Sequence, residues 1–360
     1  MPSNAKYQLY LPKSEWNGAL VVYSHGCISP AKELRIPKET PVLASFFTKH
    51  GYAFGVTSFR VNGLSAIKQG PEDLIELVEA FISEYGRPNH CYILGVSIGG
   101  SIAVKCAEEY SDLFDGVLTL SGLNGNFINE INYLFDFRTV FDYFFPEVFS
   151  CETVDIPQNV GENWDKIYRP RIVSVLTAYP EKTRQLLSVT RIPVDKNNDD
   201  MVVEYVNKIL WFTIFSTNDL IENIHGNPYD NSQTYYWGSD NDRDLNRCIK
   251  RYRSDYRTIR EIQMYYQTNG RINIPLVTIH STGDPLIPFI QQFMYQMKVC
   301  FVRRSHLYSG ISNSKHGHAH FYIKELADAF GLLVFKVTGK KPNIETGTEL
   351  RGHSPFFPLF

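Results

Sequence analysis

Long apolar runs are missing from this sequence. No stretch of about 18 uninterrupted apolar residues occurs in its 360 residues, so no transmembrane helix is expected. An excess of one charge is missing too: 36 Lys and Arg stand against 38 Asp and Glu, with the two signs interspersed. That removes the electrostatic footprint of a protein that binds nucleic acid or an anionic membrane. The six cysteines, at positions 27, 91, 106, 151, 248 and 300, include no CxxC pair and no short Cys/His spacing of a metal site. Cys91 and Cys106 lie in apolar stretches and read as small core residues, and a disulfide among the others is left open by the sequence. No Gly-rich phosphate loop, internal repeat or low-complexity segment is present, and no cofactor is implied. No charged-then-apolar leader opens the chain; Met1-Pro2-Ser3 runs almost directly into a strand pattern. The expectation is a soluble protein, either cytoplasmic or exported with its leader absent from this sequence. Oligomeric state is not readable from the pattern.

What is present is ample material for a core. Hydrophobic residues make up 43% of the chain and aromatics 14%, enough for one large interrupted domain or two domains. The first third alternates between strand and helix. Residues 7–11, 19–24, 52–58, 91–94 and 116–120 read as strands. Between them, 43–50, 72–85 and 101–110 read as helices; Leu74, Leu77, Val78, Phe81 and Ile82 form the apolar face of the second. Such alternation predicts an α/β fold, a mostly parallel sheet covered by helices on both faces.

The rhythm breaks after 123 and resumes at 271. The intervening 124–270 opens with an aromatic-rich stretch (Tyr133, Phe135, Phe137, Phe141, Tyr143, Phe144, Phe145). Helical patterns follow over 180–189, 201–215 and 246–267, with a polar loop over 225–246. The domain expectation is an α/β core from 1–123 and 271–343, interrupted by a mainly helical insertion at 124–270. In the resumed part, 275–280 predicts a strand, 287–298 a helix, the region of Leu307 a strand, and 322–338 a last helix. The segment 344–360 has no periodicity and reads as a docked tail or an appended remnant.

Gly95-Val96-Ser97-Ile98-Gly99-Gly100 follows the strand Cys-Tyr-Ile-Leu and precedes a helix rich in small residues. A serine between glycines at a strand-to-helix turn is a nucleophile elbow: Gly95 and Gly99 remove side chains that would collide, and the turn lifts the hydroxyl above the sheet. The bare five-residue pattern is common by chance, so its setting and its downstream partners carry the reading. Acyl transfer at a serine needs N–H donors for the developing oxyanion. The backbone N–H of Ile98 is one candidate. That of Cys27, after His25-Gly26 at the end of an earlier strand, is the other. A rival reading makes the Cys27 thiol a nucleophile, without a dyad to activate it. His25 itself reads as a structural hydrogen-bonder. Asp284, in Gly283-Asp284-Pro285, follows a strand and can orient a histidine or simply cap a helix. His316, His318 and His320 offer three bases at alternating positions; His318 is the first choice, then His320 and His316. With no carboxylate among the three, a metal site there is the minority reading. The chain order Ser…Asp…His favours the serine constellation.

These residues resemble the α/β-hydrolase superfamily. The resemblance covers about 7–123 and 275–342 and rests on His25-Gly26, GVSIGG at 95–100, GDPLIP at 283–288 and GHAHF at 317–321. A Gly-His-x-x-Phe followed by a helix and a Gly-Lys-x-Pro end is similar to the close of some bacterial serine hydrolases, which singles out His318; here the end reads Gly339-Lys340-Lys341-Pro342. The resemblance implies a mainly parallel sheet, with the large insertion as a cap above its carboxyl edge. It also implies a Ser97–His318–Asp284 triad and an acyl-enzyme, with no metal and no cofactor. The expected substrate is a small-molecule or polymeric carboxylic ester, its acyl or alcohol group apolar or aromatic; cap aromatics such as Phe141, Phe144, Phe145, Trp164 and Trp211 read as lining its pocket or, the better reading of any single one, as packing the cap. Amide cleavage, acyl transfer to an alcohol, and ligand binding without catalysis are the alternatives.

Overall fold

The computed structural model describes residues 3–342 and Ile344, with the backbone alone at 217. The expectation for 345–360 lies outside the described residues. The chain divides into two compact units. The first comprises the residues up to Ile28, Lys32–Asn126 and those from Tyr266 on; the second comprises Ser29–Ala31 and Phe127–Tyr265.

In chain order the first unit begins with β1 (Tyr7–Tyr10), β2 (Ala19–Ser24), α1 (Thr40–Lys49), β3 (Ala53–Thr57), α2 (Ala66–Tyr85), β4 (His90–Val96), α3 (Ile98–Glu109) and β5 (Gly116–Leu120). The second unit holds α4 (Phe127–Phe144), α5 (Gln158–Glu162), a π-helical turn at Trp164–Tyr168, α6 (Arg169–Ala178), α7 (Pro180–Thr190), α8 (Asp199–Ile224), α9 (Asp242–Cys248) and α10 (Tyr256–Tyr265). The first unit then resumes with β6 (Leu276–Gly283), α11 (Ile290–Phe301), a 3₁₀ turn at Ser305–Leu307, β7 (Tyr308–His316) and α12 (Ile323–Thr338).

The seven strands form one sheet in the order β1-β3-β2-β4-β5-β6-β7, with β1 antiparallel to β3 and every other pair parallel. β2, β3 and β5 are buried from end to end, and β4 from Cys91 on, as a parallel sheet covered on both faces requires. Alternate residues divide between the faces. Val21, Tyr23, Phe54, Leu94, Leu118 and Val277 join the core beneath α1 and α12, with Phe47 and Phe330. On the other face a Cβ on Gly55 would touch Leu77 of α2, and one on Gly95 would meet Ala103 of α3. This sheet order, with one antiparallel edge strand and a helix springing from the turn after β4, is the α/β-hydrolase fold.

Three sequence expectations need correction, and one stretch left without an element gains one. α2 starts at Ala66, ahead of Pro71, which stands inside the helix and only removes one N–H from its ladder. The aromatic-rich opening of the insertion is a helix, α4. The expected helix over 246–267 is two helices, α9 and α10. Between them the main chain bonds to a loop instead: Asn231 Nδ2 donates to Lys250 O (2.9 Å), Tyr252 N–H to Asn231 Oδ1 (2.7 Å) and Asn227 Nδ2 to Arg253 O (2.9 Å). The unit boundaries fall at 126/127 and 265/266. Residues 124–126 and 266–270 are tied to the sheet unit by Asn124 on Thr119 (2.8 Å), Asn126 N–H on Gln291 (2.6 Å), and the Asn269 and Gly270 N–H groups on Glu108 (3.0 and 2.6 Å).

All six cysteines are free thiols. Among the described residues no helix is long and apolar enough to cross a membrane.

Candidate active site

The turn between β4 and α3 is where local sequence becomes chemistry. Ser97 holds φ 58°, ψ −124°, a backbone region that L residues rarely occupy. Its own N–H donates to Leu120 O (3.1 Å), and its carbonyl accepts from Gly100 N–H (2.9 Å) and Leu123 N–H (3.1 Å). The strained turn is thus pinned to the end of β5. Glycine is required around it by space. A Cβ on Gly99 would stand 2.0 Å from Ser24 O and 2.4 Å from His25 O; one on Gly95 would stand 2.6 Å from Gly99 O. Real Cβ atoms do not approach backbone that closely.

Ser97, Asp284 and His318, far apart in sequence, meet at the carboxyl ends of the strands. His318 Nε2 lies 2.9 Å from Ser97 Oγ, and His318 Nδ1 lies 2.8 Å from Asp284 Oδ2. All three side chains are buried. Asp284 Oδ1 accepts the backbone N–H groups of Leu286 and Ile287, both at 3.0 Å, which fix the carboxylate plane. Burial alone would push this carboxyl up, but the neighbouring His318, its hydrogen bond, His280 and the Ile287 N–H outweigh burial and hold it below 3.8. Asp284 is therefore an acceptor at neutral pH. Nδ1 of His318 must be the donor between them, and in the neutral imidazole Nε2 is then bare and accepts the Ser97 hydroxyl proton.

The other histidines of the tract are placed elsewhere. His316 is exposed at the end of β7, and His320 has its ring 6.0 Å from that of Tyr322. Among the described residues no group of three or more His, Cys, Asp or Glu is arranged to hold a metal ion. His25 is buried, donates from Nδ1 to Gly26 O (2.7 Å), and packs its ring 4.4 Å from that of Phe59. The segment it leads runs against the nucleophile turn: a Cβ on Gly26 would lie 3.4 Å from Ser97 Cβ. Cys27 follows in that segment, its thiol directed at Ile28 O at 3.8 Å. Ile98 opens α3, so its N–H lies at the positive end of that helix.

Two contributors escaped the sequence reading. His280, at the middle of β6, has Nε2 3.6 Å from Asp284 Oδ2 and donates to Ile287 O (2.7 Å). Its imidazole is held below 6.5 by burial, against the pull of Asp284. The only sequence signal was its position four residues before Asp284, which reads equally as the end of a buried strand. Ser121 holds φ 45° and accepts the N–H of Ala319 (3.2 Å), itself at φ 53°. Three non-glycine residues in left-handed backbone thus converge on His318 and Ser97, the clustering of strain that functional sites show.

Of the two readings of the insertion's aromatics, packing is the one that fits. Phe141, Phe144, Phe145 and Trp164 are buried in the second unit's own packing; the Phe141 ring packs tilted against Phe145 (5.1 Å) and edge-on to Phe149 (6.0 Å). Trp211 stacks on Phe215 at 4.6 Å.

Solved structures similar to this chain include an acylaminoacyl peptidase of Pyrococcus horikoshii. There 13% of residues are identical over 96% of this chain and 41% of that one, with a TM-score of 0.48. A highly thermostable carboxyl esterase from Bacillus coagulans is 16% identical over 92% of this chain and 93% of that one, with a TM-score of 0.46. Candida antarctica lipase A in its closed state is 10% identical over 95% and 75%, with a TM-score of 0.48. The chain spans about two fifths of the length of the peptidase. No protein-family model matches the sequence, and no curated protein does.

Proposed function

We propose that this chain is a serine hydrolase that cleaves a carboxylic ester through an acyl-enzyme on Ser97. The single observation that carries the reading is the unbroken hydrogen-bond relay from Ser97 Oγ to His318 to Asp284. In this mechanism Ser97 Oγ attacks the acyl carbon while His318 Nε2 takes its proton. Asp284 keeps the imidazole in the one tautomer that can do so and stabilises its charged form. The N–H groups of Ile98 and Cys27 receive the charge on the carbonyl oxygen as the tetrahedral intermediate forms. His318 then returns the proton to the leaving alcohol. Water, deprotonated by the same imidazole, releases the acid and restores Ser97. Nothing in these steps calls for a metal or a cofactor.

The relay serves esters and amides alike. An ester is favoured on intrinsic grounds, since nitrogen donation makes an amide carbonyl less open to attack and the amide nitrogen must be protonated before it can leave. The substrate class this relay fits is a carboxylic ester, free or at the end of a polymer. The test is steady-state hydrolysis of matched p-nitrophenyl esters and anilides. The parent protein is expected to turn over esters, and Ser97→Ala to lose on the order of 10⁴-fold or more. Near-parental ester turnover by Ser97→Ala, in folded protein, would overturn the reading.

A further inference from the structure

The second unit contains a pocket of its own, of about 260 Å³. That is just under the ~300–1,000 Å³ typical of sites for drug-sized ligands, and so the scale of a single ring. Its walls come from one face of α4, where Tyr133 and Asp136 are one turn apart, from Arg191 at the end of α7, and from the loop residues Tyr235, Tyr236 and Trp237. Tyr235 and Trp237 are 65% and 56% exposed, an unusual degree for two large aromatics separated by one residue.

Two charged groups line this pocket and do not pair with each other. Asp136 Oδ1 accepts the phenol O–H groups of Tyr229 (2.8 Å) and Tyr236. Among the described residues no hydrogen bond reaches Asp136 Oδ2. Arg191, held in left-handed backbone at φ 53°, lays its guanidinium 3.3 Å from the centre of the Trp237 ring and forms no ion pair among the described residues. Packing of the loop explains part of this: a Cβ on Gly238 would collide with Ser188, so the loop sits close on α7, and the Arg191–Trp237 stack fastens it. Fastening does not account for the free carboxylate oxygen or for the exposed face of Tyr235.

A ligand for these walls must satisfy a carboxylate and a guanidinium together. A simple cation is opposed by Arg191, and a simple anion by Asp136. Hydroxyl groups donate to the one and accept from the other without bringing a charge. The aromatic walls in turn suit the apolar C–H face of a ring. We infer that the pocket lined by Asp136, Arg191, Tyr235 and Trp237 binds a neutral polyhydroxylated ring, a single pyranose unit, at a site built wholly within the second unit. The inference is independent of the role of Ser97.

The experiment is titration calorimetry of the whole chain against glucose, galactose, mannose, N-acetylglucosamine and their methyl glycosides, with phenylalanine as a zwitterionic and arginine as a net cationic control. At least one pyranose is expected to bind with a Kd of about 1 mM, weakened about tenfold or more in Trp237→Ala, Tyr235→Ala and Asp136→Asn. Ser97→Ala is expected to bind as the parent does. Asp136→Asn alters the acceptor of two buried phenols; should it fail to fold, the two exposed aromatic variants still decide. Absence of pyranose binding up to tens of mM, binding unchanged in both aromatic variants, loss of binding in Ser97→Ala, or preference for the amino acids would each overturn the inference.

Discussion

At the residue scale the account turns on which hydrogen bond each side chain can make. Asp284 is an ionised acceptor whose second oxygen is occupied by two backbone N–H groups. An amide oxygen can keep those two bonds but not the polarity of the bond to His318. Asp284→Asn is therefore expected to fold and to melt near the parent temperature, while aryl-ester turnover falls by about 10⁴-fold, the cost of holding the imidazole in the wrong tautomer. Since the Ser97 hydroxyl bonds His318, His316→Ala and His320→Ala are expected to stay within a few-fold of the parent in the same assay. A fall of similar size in either would mean that the base has been misassigned. The three residues stand out in the sequence because chain order points to them and a strand and a glycine precede each one, Gly95 before Ser97, Gly283 before Asp284 and Gly317 before His318. His280 was not, because a histidine closing an apolar run looks the same whether or not it faces a carboxylate.

At the element scale the sheet unit was readable from periodicity, and in the second unit α7 and the first part of α8 were, while α4 was not. β2 and β5 are apolar runs bounded by turn residues, and their limits follow from sequence directly. α4 is buried nearly all round, so its apolar residues make no stripe, and its buried polar residues disguise it further. Arg138, fully buried on α4, bonds Asp142 one turn on (2.8 and 2.9 Å) and sits 4.0 Å over the Phe149 ring, a set of partners no pattern search reveals. The elements also separate two glycines of the same composition. At Gly99 an added Cβ meets fixed backbone, so Gly99→Ala is expected to lose about 3 kcal/mol or more in urea unfolding. Gly331, inside α12, would offer its Cβ nothing nearer than Pro342 at 3.9 Å; Gly331→Ala is expected to gain about 0.5–1 kcal/mol. Equal effects at both sites would contradict the packing described for the turn after β4.

At the scale of the whole molecule, buried titratable groups set how stability depends on pH. His25 and His280 are fully buried, and burial holds both imidazoles below 6.5. As pH falls through about 6.5 the unfolded chain takes up protons at both, while the folded chain does not until lower pH. Their contribution is thus complete above 6.5 and is lost on acidification. Asp142 acts in the opposite sense: burial pushes it up to about 6 despite Arg138, so it protonates in the folded chain first, and its contribution grows as pH falls through about 6 and is complete below 3.8. Comparing the parent with His280→Gln isolates one imidazole. Between pH of about 7.5 and 5.5 the parent is expected to lose stability relative to the variant, by up to roughly 1.4 kcal/mol for each unit below 6.5 over which the folded imidazole stays neutral. A parent-to-variant difference that does not change with pH would show that His280 charges freely in the folded protein.

The fold, the strained turn and the relay converge on one oxygen atom, Ser97 Oγ. Its reactivity can be read without knowing the substrate, by intact-mass measurement after exposure to a fluorophosphonate. The account predicts a single stoichiometric adduct that maps to Ser97, is absent in Ser97→Ala, and forms far more slowly in His318→Ala. An unmodified parent protein, or an adduct carried on another residue, would contradict it.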